Sequence, residues 1–144
     1  QEMKRKGKPQ PVAQLLIYPA LDVASTLPSM TTFGEAFPLN AATMHWFMEN
    51  YMNKGDDPNN PRLSPLREKD VSGLAPAFIY TAGFDPLCDE GDEYAKKLRA
   101  AGAKPVFHCF DALAHAFTAF TGVVPAADEA CRKIAREFGA AIKA

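Results

Sequence analysis

Three short apolar runs rich in β-formers lie far apart along the chain, and proline or glycine bounds or closes them. They are residues 13–18 before Pro19, residues 77–81 between Pro76 and Gly83, and residues 105–110. The first is nearly continuously apolar, the mark of a parallel strand covered on both faces. Stretches with helical spacing lie between and after them. Asn40 can cap a helix running to about Asn53, with Met44, Phe47, Met48 and Tyr51 in phase. Residues 90–101 read as a helix capped by Asp89, acidic early, basic later and ended by Gly102. Residues 126–142 carry Ala130, Ile134, Phe138 and Ile142 one turn apart. The order is strand, long helical excursion, strand, helix, strand, helix. It predicts an α/β fold: a parallel sheet with flanking helices.

Such a sheet is thin. Leu15, Leu16 and Ile17 would lie on an open apolar edge, which natural proteins avoid, so their neighbour is expected from residues outside this chain. Gln1 to Gly7 reads as the end of a helix, with Lys4, Arg5 and Lys6 in its last turn and Gly7 as the stop. The fold is therefore expected to be incomplete without an upstream half.

Composition excludes several classes. A net charge of −1 favours neither nucleic acid nor an anionic membrane surface. No apolar run approaches the roughly 20 residues of a membrane span. Three dispersed cysteines, Cys88, Cys109 and Cys131, form no disulfide framework and no metal motif. A reducing, cytoplasmic location is the expectation, with no metal and no organic cofactor.

The chemistry concentrates at two corners. The run 77–81 ends in a turn in which Asp85 stands between Gly83, able to take backbone angles other residues avoid, and Pro86. The run 105–110 leads into a loop holding His115. In open α/β sheets the carboxyl edge of the strands is where ligands sit. An acid on one such loop and an imidazole on the next form the acid–base half of a hydrolytic triad, in the order acid then histidine. No Gly-x-Ser-x-Gly nucleophile elbow occurs in the chain. Asp89 competes with Asp85 but is placed to cap a helix, and Asp111 is close to His115 in sequence. His45 and His108 share no metal-ligand spacing with His115 and read as structural. Cys88 reads as a small buried hydrophobe. Phe33 and Phe37, and with less weight Trp46, Phe47 and Tyr51, can wall an apolar substrate pocket or belong to a core. Asp22 and Ser25 follow a strand end and serve either the site or the loop.

The segments Gln14-Leu-Leu-Ile-Tyr-Pro19, Phe84-Asp-Pro-Leu-Cys-Asp-Glu-Gly91 and His115-Ala-Phe117 resemble the hormone-sensitive-lipase family of α/β-hydrolase esterases. The likeness runs from about Pro11 to the end and covers only that family's C-terminal half. It implies that residues 1–144 are the C-terminal portion of one α/β-hydrolase domain. It implies Asp85 as triad acid and His115 as general base, acting on a small-molecule ester. The serine, the His-Gly-Gly-Gly oxyanion loop and the cap would lie in the N-terminal half of the same protein. Ala116 stands where the family usually has glycine. The alternative reading is a non-catalytic binding or interaction module on the same fold.

Overall fold

The computed structural model describes residues 1–143. Three parallel strands form one sheet in the order β1-β2-β3: β1 (Gln14–Ile17), β2 (Ala77–Phe84) and β3 (Val106–Ala114). Strand β2 is central. Gln14 lies opposite Ala77 on one side, and Phe78 opposite Val106 on the other. Its first six residues are all buried, which explains why it reads as an unbroken apolar run rather than an alternation.

The pleat sorts those residues to two faces. Phe78, Tyr80 and Ala82 join Leu113, Phe117, Ala127, Ala130 and Ile134 beneath α5 (Pro125–Ala141). Ala77 and Ile79 join Leu21, Val71, Tyr94, Ala95 and Leu98 beneath α4 (Cys88–Ala100). Side chains such as Ile79 and Leu98, at 0 and 1 % exposure, each contribute roughly 1.5–3 kcal/mol by leaving water. Gly91 lets α4 approach this closely: a Cβ there would sit 2.3 Å from Cγ2 of Thr81.

Helices α1 (Glu2–Arg5), α2 (Pro28–Thr32) and α3 (Ala41–Tyr51) complete the set. As the sequence implies, Gly7 and Gly102 follow helix ends at positive φ, 59° and 85°. Asn40 caps α3 by accepting the Thr43 N–H at 2.8 Å. Three local readings change. Helix α4 begins at Cys88, so Asp89 lies inside its first turn and is not its cap. Its carboxylate instead accepts the Ser29 N–H at 2.8 Å, tying α2 to the corner that follows β2. Glu90 stays in the acidic first turn but is fully buried. Its Oε2 accepts the N–H groups of Leu21 and Asp22, pinning the loop after β1 onto α4, and burial raises its carboxyl above the usual range.

The other two concern strand ends. Strand β3 runs on through Asp111 to Ala114 instead of stopping at Phe110. Ala82 pairs with Phe110 but Phe84 with Ala114, so β3 carries extra residues in a bulge. Gly83 sits against this bulge. It is not in the positive-φ region; a Cβ on it would meet the Asp111 carbonyl oxygen at 2.3 Å. Its role is close approach, not backbone freedom.

Strand β1 pairs with β2 alone among the described residues, and Leu15 on it is 37 % exposed. No described helix is long and apolar enough to cross a membrane.

Candidate active site

Because all three strands run the same way, the residues after them share one edge of the sheet: Tyr18 after β1, Asp85 after β2 and His115 after β3. The two corners that the sequence singles out meet there. Nδ1 of His115 lies 2.8 Å from Oδ2 of Asp85. With its proton on Nδ1, the ring donates to the carboxylate and Nε2 is left as an acceptor.

Local chemistry fixes the acid. The other oxygen of Asp85, Oδ1, accepts the Leu87 N–H at 2.8 Å, and the Asp85 carbonyl accepts the Cys88 N–H at 3.0 Å. This is an Asx turn, the reason an Asp-Pro pair suits the start of a helix. Asp85 is 0 % exposed, so its carboxylate is held among partners rather than by water. The β3 bulge carries the chain across Gly83, and His115 follows directly with its side chain 20 % exposed.

The turn after His115 is strained. Ala116 has φ 58°, ψ 22°, the left-handed region that costs a residue with a Cβ roughly 1–2 kcal/mol. The family's usual glycine removes that cost, at some loss through a freer unfolded chain. Ala116→Gly is expected to stabilise the protein by about 0.5–1 kcal/mol. In urea unfolding the midpoint should rise with the slope unchanged. A lower midpoint would mean the Ala116 methyl group contributes more than the strain costs.

An apolar hollow of ≈ 370 Å³ opens beside His115, lined by Ile17, Tyr18, Leu39, Met44, Phe47, Met48 and Leu87 among others. Of the aromatic wall candidates, only Phe47 borders it. Phe33 packs edge-on against Phe84 at 5.9 Å, and Phe37 is 80 % exposed; neither borders the hollow. Trp46 and Tyr51 point to solvent. Sequence reasoning placed Met44 and Met48 on one face of α3 without assigning them to the site, and passed over Leu39 and Leu87. The helical phase marks that face; what it faces depends on the excursion's path, which no local pattern encodes.

The remaining candidates are placed elsewhere. Asp111 is exposed on the bulge, and the partner of the His115 ring is Asp85. Asp22 pairs with Arg67 at 2.9 Å and caps its own loop through the Ala24 N–H. His45 and His108 are exposed, the latter with its ring edge against Phe110. The sulfurs of Cys88 and Cys109 come within 3.8 Å as free thiols. Burial raises the Cys88 thiol and pushes that of Cys109 up to about 12, which keeps both protonated and unreactive. Among the described residues no cluster of three or more His, Cys, Asp or Glu forms a metal-ligand set.

Comparison with known proteins agrees with this architecture. The profile of the α/β-hydrolase fold matches residues 1–119. The carboxylic ester hydrolase LipN of Mycobacterium tuberculosis is 48 % identical over 113 residues, covering 78 % of this chain and 30 % of the relative. The ethyl acetate hydrolase of Pseudomonas putida is 34 % identical, covering 83 % of this chain and 37 % of that protein. Among solved structures, an esterase from Pyrobaculum calidifontis superposes with TM-score 0.87 at 33 % identity, over 94 % of this chain and 45 % of that one. An α/β hydrolase from the metagenome of Lake Arreo superposes with TM-score 0.86 at 39 % identity, over 96 % and 45 %. The chain thus spans less than half the length of each of these. Its sequence, its parallel sheet and these likenesses agree: the chain belongs to the α/β-hydrolase fold family, in its hormone-sensitive-lipase-like group.

Proposed function

We propose that this chain is the C-terminal part of a serine carboxylesterase, contributing Asp85 and His115 to a Ser-Asp-His triad whose serine and oxyanion loop lie outside it. The observation that carries the reading is the 2.8 Å contact between His115 Nδ1 and the buried Asp85 carboxylate, at the carboxyl edge of the sheet and beside an apolar hollow. That LipN and the P. putida enzyme are ester hydrolases supports it.

The mechanism follows from the roles. His115 Nε2 accepts the serine proton as the hydroxyl attacks the ester carbonyl, then returns it to the leaving alcohol. In the second half His115 activates water against the acyl-enzyme. Asp85 holds the tautomer with the proton on Nδ1 and stabilises the imidazolium that forms. The hollow walled by Leu39, Met44, Phe47 and Met48 takes an apolar part of the substrate, and Phe33 and Phe37, which do not border it, are left outside this wall. No step calls on a metal or an organic cofactor. The open edge of β1 receives the strand supplied by the N-terminal half.

The test compares the complete protein with residues 1–144 alone on a series of p-nitrophenyl esters, with a serine-directed phosphonate as label. The complete protein is expected to hydrolyse short- to medium-chain esters and take up one label. The chain alone is expected to do neither, since Ser25, Ser29, Ser64 and Ser72 lie outside any nucleophile elbow. Labelling of one of those four serines, with hydrolysis to match, would overturn the split-triad reading. A complete protein that hydrolyses no ester would favour the binding-module alternative.

A further inference from the structure

Tyr18 combines three features that ordinary packing does not require. Its φ is 39°, outside the range that residues with a Cβ usually adopt, although its N–H is still held by the Tyr80 carbonyl at 2.7 Å. Its ring lies 4.6 Å from the His115 ring at a 56° tilt, and meets Phe117 edge-on at 5.4 Å. Its hydroxyl lies 2.6 Å from Oγ1 of Thr118, in the short helical turn Phe117–Phe120 that follows His115. One side chain from the end of β1 therefore grips both the imidazole and the turn that carries it.

We infer that Tyr18 is the positioning residue for His115: its ring restrains the imidazole against the Asp85 carboxylate, and its Thr118 contact restrains the ring. The inference rests on the esterase reading above for its kinetic consequences. One hydrogen bond to Asp85 leaves the imidazole free to swing about its side-chain torsions. The Tyr18 ring removes that freedom on one face, while the strained backbone aims the ring there. The negative face of an aromatic ring also favours the positive charge that His115 gains when it takes the serine proton. A displacement of about 1 Å in such a group costs about a hundredfold in rate.

The experiment uses the complete protein with Tyr18→Leu, Tyr18→Phe, Thr118→Val and the Phe/Val double variant, kinetics on a p-nitrophenyl ester, and the nitrogen-15 and proton NMR signal of the His115 Nδ1–H. Tyr18→Leu is expected to lower kcat about ten- to hundredfold with KM within about twofold, and to lose the NMR signal by exchange. Tyr18→Phe should recover most of the rate and keep the signal. Thr118→Val should cost a fewfold, and no more when Tyr18 is already Phe, because the two hydroxyls act as one contact. Tyr18 also lines the hollow, so a rise in KM with kcat unchanged would reduce its role to that of a wall and overturn the inference. Equal losses in the Leu and Phe variants, or an unaltered signal in Tyr18→Leu, would overturn it too. Should Tyr18→Leu not fold, the Phe and Val cycle decides: additive losses reject the inference and non-additive ones support it. The NMR arm reads His115 whether or not the protein hydrolyses esters, so it separates failure here from failure of the functional reading.

Discussion

Asp85→Asn in the complete protein is expected to lower turnover on a p-nitrophenyl ester by about 10⁴, the cost of the same change in a protease triad, while KM and the fold stay nearly unchanged. The hydrogen-bond pattern forces this. Oδ1 of Asp85 accepts the Leu87 N–H and Oδ2 faces Nδ1 of His115. An asparagine can keep its oxygen on the Leu87 N–H only by turning its NH₂ toward the imidazole. Nδ1 must then be the acceptor and Nε2 carries the proton, so the ring cannot take a proton from serine. The flipped amide restores the tautomer but sets a donor against the buried Leu87 N–H, at a cost of about 1–3 kcal/mol. On the triad reading neither group holds the substrate in the ground state, so the loss belongs in kcat. A rate loss under tenfold, with the fold intact by circular dichroism, would remove Asp85 from the triad.

The same residues explain how far the sequence carries. Strand β2 was legible because a parallel strand buried on both faces leaves a continuous apolar run, and β1 and β3 because short runs of β-formers stand out between Pro19, Pro76, Gly83 and the helical stretches. Asp85 and His115 were singled out because each stands in the turn a few residues after such a run, and a parallel sheet brings those ends to one edge. The misread details all depend on tertiary contacts. Asp89 resembles a helix cap in sequence, yet its partner is Ser29, some sixty residues away. Glu90 does lie in the acidic first turn that a helix dipole favours, and only its burial against the backbone of Leu21 and Asp22 went unread. Gly83 reads as a turn glycine because its neighbour across the sheet, the Asp111 carbonyl, is visible only once the bulge in β3 is known. The pocket wall was least legible: helix α3 shows its apolar phase, but which residues reach His115 is set by the excursion between β1 and β2. Tyr18 lay inside the family segment, and neither its strained φ nor its grip on His115 has a pattern in one dimension.

Replacing the histidine is expected to cost at least as much as replacing the acid. On the triad reading His115→Ala removes the base that takes the serine proton, and at neutral pH a serine hydroxyl without a base is a poor nucleophile. The predicted loss in kcat is about 10⁴ to 10⁶, again with little change in KM. The variant also strips Oδ2 of the fully buried Asp85 of its partner, so a lower thermal midpoint should accompany the loss of rate. The double variant, Asp85→Asn with His115→Ala, separates a triad from two independent contributions. If Asp85 acts only by orienting and stabilising the imidazole, nothing remains for it to do once the imidazole is gone. The double variant should then turn over no more slowly than His115→Ala alone. It should also regain part of the lost stability, because a neutral asparagine leaves no unpaired charge in the same buried site. Multiplicative losses, reaching about 10⁸ or more in combination, would mean that Asp85 serves the reaction by a route that does not pass through His115.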